Sequence, residues 1–168
     1  FAEFITGVNT ICHTQAAAKD VEYECIVDPV VDDYYIGDAM KLQQVLVNIL
    51  GNAVKFTSSG GKVTFAVSQR KKTKNDATLR FVINDTGIGM TEEFIPHLFE
   101  PFEQESMGIT SGYGGTGLGL AISKNIVDLM DGRIQVRSIK NSQWMSSWAS
   151  RRRKSSGAKS STSITSPI

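Results

Sequence analysis

Residues 112–124 read GYGGTGLGLAISK, a glycine-rich run that passes straight into an apolar helical pattern. Such spacing lets a ligand approach the main chain, and a helix starting behind it offers free N–H groups and a positive dipole end to an anion. The residues that would take this role are Gly115, Thr116, Gly117, Leu118 and Gly119. Flexible loops share this composition, so the run alone is either a phosphate cradle or a turn. A second group, Asn48, Asn52 and Lys55, stands at i, i+4 and i+7 and forms one polar stripe on a helix. Amide oxygens can enter the shell of Mg²⁺, and an ammonium can contact phosphate. A solvated helix face would look similar, although asparagine is a poor helix former. Third, Asp85-Thr86-Gly87-Ile88-Gly89 follows the apolar segment TLRFVIN. A carboxylate there can accept a hydrogen bond from a ligand amine, with Gly87 and Gly89 leaving room for a flat ring. A plain tight turn is the competing reading.

These residues need elements to position them. Apolar residues at Phe1, Phe4, Ile5, Val8 and Ile11 give residues 1–18 a helical spacing, and VEYECIV (21–27) reads as a strand. Asp38 is a plausible N-cap for a helix over residues 39–56, whose apolar stripe is Leu42, Val45, Ile49, Ala53 and Phe56. Residues 62–69 and 78–84 alternate and read as an antiparallel pair. A short helix is expected near 91–98, capped by Thr91, then a glycine-containing loop over 100–116 long enough to be a lid. A helix over 118–130 and a strand over 133–138 complete the pattern, an α/β sandwich whose antiparallel pair argues against a Rossmann sheet.

The bulk numbers agree with one globular α/β domain: 168 residues, 40% of them hydrophobic, with a net charge of +1 that gives no reason to expect a nucleic-acid partner. No apolar run reaches membrane-spanning length. The chain opens on Phe1 without Met and so reads as a piece of something longer. Cys12 and Cys25 lack metal-ligand spacing and read as reduced structural thiols.

Taken in order, NILGNAVKFT, DTGIGM, FEPFEQ and GYGGTGLGLAISKNIV resemble the N box, first glycine box, F box and second glycine box of the ATP-binding catalytic domain of sensor histidine kinases, in the GHKL superfamily. The resemblance covers residues 1–139. It implies a two-layer Bergerat-type sandwich, a mixed sheet with helices on one face, binding Mg²⁺ and ATP. On that resemblance Asp85 would accept the adenine amino group, and Gly87 and Gly89 would admit the base. Asn52, with Asn48 beside it, would hold Mg²⁺, and Lys55 would contact phosphate. The glycines Gly115, Gly117 and Gly119, with Thr116 and Leu118, would bring the lid's main chain to the triphosphate, and Phe99 and Phe102 would anchor the lid. Related ATPases carry a glutamate, a general base for water, where this chain has Asn48; an amide cannot take that proton, which disfavours hydrolysis. Neither His13 nor His97 lies in a phosphoacceptor pattern. The implied partners are therefore a dimerisation and phosphotransfer domain elsewhere in a homodimeric, cytoplasmic parent, and a downstream response-regulator receiver domain. The alternatives are a non-catalytic nucleotide-binding module and a GHKL hydrolase.

From Lys140 onward acidic residues vanish and serine dominates, with the basic run Arg151-Arg152-Arg153-Lys154. A codon choice exists for residues 140–151 in which the frame displaced by one base encodes Glu-Phe-Thr-Val-Asp-Val-Lys-Leu-Gly-Ile-Thr, an alternating strand closed by glycine. Residues 140–168 are therefore expected to be a frameshifted, disordered tail, with the sheet's last strand lost and an edge exposed. A basic nucleic-acid-binding tail is the weaker reading.

Overall fold

The computed structural model describes residues 1–72, 76–105, 116–140 and 160–167. Helix α1 (Ala2–Ala18) leads into strand β1 (Glu22–Val27), followed by helix α2 (Ala39–Phe56). The start of α2 is fixed by Asp38, whose carboxylate accepts the Lys41 N–H at 3.0 Å, one of the donors a helix N-terminus leaves open. Its end is closed by extended backbone at Thr57, whose buried hydroxyl donates to the Ala53 carbonyl at 2.7 Å. The Lys19 ammonium, from the C-cap of α1, donates to the Val54 and Lys55 carbonyls there, satisfying acceptors α2 leaves free.

Strands β2 (Lys62–Lys72) and β3 (Ala77–Asp85) pair antiparallel, while β1 runs parallel to β2. Helix α3 (Gly119–Leu129) turns through Asp131-Gly132 into β4 (Arg133–Arg137). The mixed sheet has the order β1-β2-β3-β5-β4, with β5 at Ser160–Pro167. Val63, Phe65 and Val67 of β2 and Leu79, Phe81 and Ile83 of β3 are buried on one face. They meet Leu46 and Leu50 of α2, Val8 and Cys12 of α1 and Val127 of α3 in a single core. This is the sandwich expected from alternating strands and one-sided helical stripes, because both must bury their apolar side against another layer. Among the described residues no helix is long and apolar enough to cross a membrane.

The structure departs from the sequence reading in two places. Residues 91–98 form turns and only a short 3-10 segment, Ile95–His97. Pro96 lacks the N–H that a continuing helix would use, so the chain stops at single turns. The second concerns the last strand, expected to be missing. The backbone of Ser160–Pro167 instead forms β5, antiparallel to both β3 and β4 and filling the slot between them. Two strand edges with open N–H and C=O groups reward any extended segment, and a Ser/Thr run with one Ile can serve without an apolar pattern. Residues 141–159, the bulk of the expected tail, lie outside the described residues.

The thiols behave as ordinary structural groups. Burial, with the nearby Cys25, pushes the Cys12 thiol up to about 11, and burial also raises Cys25. Both therefore stay protonated near neutral pH, the unreactive form.

Candidate functional site

The three groups of candidate residues, far apart in sequence, converge on one cleft of about 390 Å³. Helix α2 supplies Asn48, Asn52 and Lys55, the turn after β3 supplies Asp85 and Gly89, and the start of α3 supplies Thr116, Gly117 and Gly119. Ile49, Ile83, Ile88, Met90 and Leu98 add an apolar wall. The volume falls in the range of roughly 300–1,000 Å³ usual for small-molecule sites, and the lining mixes apolar and polar residues. Gly115 lies outside the described residues. Gly87 and Leu118 do not line the cleft.

The turn at 85–89 is wedged against the end of α2. The Gly87 N–H donates to Asp85 Oδ1 at 3.0 Å, and the Ile88 N–H to the Phe56 carbonyl at 3.2 Å. A Cβ on Gly87 would stand 2.7 Å from that carbonyl, so this glycine serves the contact with α2. Gly89 has φ +67°, and a Cβ there would lie 2.1 Å from the Ile139 carbonyl oxygen. Only glycine fits both demands.

Asn48 and Asn52 differ in their surroundings. The Asn48 amide donates to the buried Ser123 hydroxyl at 2.9 Å, and a Cβ on Gly119 would come within 2.4 Å of Asn48 Oδ1. Asn48 thus joins α2 to α3 and seats the helix start. Lys55 Nζ stands 5.1 Å from the centroid of the Phe56 ring. Among the described residues no group of three or more His, Cys, Asp or Glu could hold a metal ion.

The loop at 100–116 begins and ends at one crossing. The Phe102 N–H donates to the Gly117 carbonyl at 3.1 Å, with positive φ at both residues, and a Cβ on Gly117 would meet the Phe102 backbone at 2.8 Å. Phe99 lines the cleft, whereas the Phe102 ring is largely exposed. His97 Nδ1 lies 3.1 Å from Glu100 Oε1, a local contact outside the cleft.

Sequence reasoning missed Ser138, Lys140 and Glu105. The Ser138 hydroxyl accepts the Met90 N–H at 2.8 Å, and Glu105 Oε1 accepts both the Thr91 N–H and Lys140 Nζ. Burial works to raise the Glu105 carboxyl, but hydrogen bonds from Lys140 and Thr91 outweigh it and hold the group below its ordinary value. It is charged at neutral pH, and the pair is lost only as pH falls through that lowered value. No short motif announces these contacts, because each spans 14 to 48 positions in sequence.

The family model described as "Histidine kinase-, DNA gyrase B-, and HSP90-like ATPase" matches residues 37–165. The chain belongs to this ATPase family. Its curated relatives include the sensory/regulatory protein RpfC of Xanthomonas campestris pv. campestris, 44% identical over 133 residues, which are 79% of this chain and 18% of that protein. The sensor histidine kinase AruS of Pseudomonas aeruginosa is 42% identical over 134 residues, 80% of this chain and 13% of the relative. The chain therefore spans less than a fifth of these relatives. Among solved structures, the mycobacterial sensor histidine kinase MprB superposes with a TM-score of 0.70 at 25% identity, covering 95% of this chain and 92% of that one. Full-length ShkA in complex with AMPPNP gives 0.72 at 25% identity, covering 98% of this chain and 29% of that one. The α/β fold of this ATPase family is thus the fold observed, and the relatives place the chain beside sensor histidine kinases.

Proposed function

We propose that this member of the ATPase family is the ATP-binding catalytic domain of a two-component sensor histidine kinase. It would transfer the γ-phosphoryl group of ATP to a histidine on a dimerisation domain of the same parent. The observation that carries the reading is the convergence of Asp85, Asn52 and Lys55 with the start of α3 on one cleft. Asp85 would accept the adenine amino group, a contact that guanine's carbonyl cannot make. Asn52, with Asn48 beside it, would offer its amide oxygen to the metal, while the Asn48 NH₂ donates to Ser123. Lys55 would contact phosphate, with Thr116, Gly117 and Gly119 presenting lid backbone. Mg²⁺, held there, would supply charge neutralisation, and the part of Asp85, Asn52 and Lys55 would be positioning.

Asn48 also argues for a phosphoryl donor over a hydrolase. Its amide cannot deprotonate water, whereas an imidazole nucleophile needs no strong base. The partners proposed are the dimerisation and phosphotransfer domain of a cytoplasmic, homodimeric parent and a response-regulator receiver domain. For residues 140–168 we propose a one-base frameshift near Ile139. Transcript sequencing that returns this frame intact overturns it.

Calorimetric titration tests the nucleotide reading. Mg²⁺-ATP is expected to bind saturably and GTP at least tenfold more weakly. In Asn52→Ala the Mg²⁺ dependence of ATP binding should disappear. Equal ATP and GTP affinity removes the adenine reading, and Mg²⁺ dependence that survives in Asn52→Ala removes the metal assignment.

A further inference from the structure

Glu105 ties together pieces of chain to which the family's four boxes assign no partner. Its Oε1 accepts the Thr91 N–H at 3.2 Å and Lys140 Nζ at 2.6 Å. Its side chain is only 14% exposed, and Oε2 is buried with no hydrogen-bond partner among the described residues. Each tied segment borders the cleft. Thr91 follows Met90, a lining residue held by Ser138. Lys140 follows Ile139, whose carbonyl lies against Gly89. Glu105 itself closes the stretch Glu103-Gln104-Glu105, all three of which line the cleft where the 100–116 loop leaves it.

We propose that Glu105 is a positioning residue for nucleotide binding: with Lys140 it clamps the segment after the 85–89 turn to the root of the 100–116 loop. A carboxylate accepting two donors, one of them charged, fixes geometry better than a neutral contact, and shielding from water strengthens it. Without the clamp, the main chain at Thr91 and the stretch 103–105 lose the tie that Glu105 makes between them, and the cleft loses its shape before ligand arrives. Lys140 contributes from the segment after β4, so one ion pair couples the end of the sheet to the mouth of the cleft. The inference rests on the nucleotide reading of the cleft, but the clamp has its own readout.

The clamp is read without ligand, by amide hydrogen exchange. In Glu105→Ala, exchange at the Thr91 amide should rise at least tenfold while amides inside α2 stay unchanged. Unchanged exchange at Thr91 overturns the clamp. Its role in binding is read by ATP titration of the full 168-residue chain. Glu105→Ala and Lys140→Met should each raise the ATP Kd about three- to tenfold with melting temperature little moved. The double variant should be no worse than Glu105→Ala, and Lys140→Arg should stay near wild type. Losses that multiply in the double variant, or that merely track melting temperature, overturn the positioning role. A chain that shows the exchange signature but binds no ATP overturns the nucleotide reading and leaves the clamp standing.

Discussion

Asp85→Asn should weaken ATP binding roughly tenfold to a hundredfold, about 1.5–3 kcal/mol, the scale of a hydrogen bond to a charged group. The substitution is nearly isosteric, and an asparagine Oδ1 can still accept the Gly87 N–H that Asp85 accepts at 3.0 Å. The turn should therefore keep its shape. What changes is the other oxygen, replaced by an NH₂ that sets a donor against the donor of the adenine amine. A melting temperature near wild type, with calorimetric affinity reduced for ATP, is the expected pair of results. Unchanged ATP affinity would remove Asp85 from the adenine contact.

Gly89→Ala should be the most damaging single methyl addition at the site. At φ +67° any side chain meets a strain of about 1–2 kcal/mol. The new Cβ would also face the Ile139 carbonyl oxygen at 2.1 Å and its carbon at 2.7 Å, both main-chain atoms. Relief requires the segment after β4 to retreat, and that segment carries Ser138 and Lys140, which hold Met90 and Glu105. A total loss of roughly 2–4 kcal/mol follows, within the range of known strained and overpacked sites. For a domain of this size that lowers the melting temperature by roughly 5–15 °C. Gly60→Ala separates the two causes. Gly60 has φ +75° with nothing within 4 Å of the Cβ position, so it should lose only the strain. If Gly89→Ala melts no lower than Gly60→Ala, the packing of the turn against Ile139 is not what the geometry implies.

The parts of the fold that were legible had local causes. Helix α2 has the bounds its sequence suggests because Asp38 caps it and its apolar residues recur on one side. Strands β2 and β3 were readable from strict alternation, and the register Phe65↔Ile83 and Val67↔Phe81 follows once one face is buried. β5 was illegible because what recruits Ser160–Pro167 is the pair of open edges on β3 and β4, a property of the assembled sheet. The site divides the same way. Asn48, Asn52, Lys55 and Asp85 could be picked out from short motifs, and the fold brings all four to the lining of one cleft. Their different jobs were not nameable: only the packing of α3 on α2 turns Asn48 toward Ser123 and Gly119. Gly87 stands in the turn read as an opening for a ligand, and the packing that sequence does not show is that its missing Cβ makes room for the Phe56 carbonyl. The Glu105, Thr91 and Lys140 cluster brings together segments 14 and 35 positions apart, a distance at which sequence pattern carries no signal.

The most direct measurement mixes this chain with a separately made dimerisation and phosphotransfer domain and ATP labelled at the γ-phosphate. The account predicts acid-labile, alkali-stable phosphohistidine on the partner, dependent on Mg²⁺ and reduced roughly tenfold or more with Asp85→Asn at limiting ATP. It also predicts no steady release of phosphate by the chain alone. Turnover of ATP to free phosphate at an enzymatic rate, with no label on the histidine domain, would contradict it.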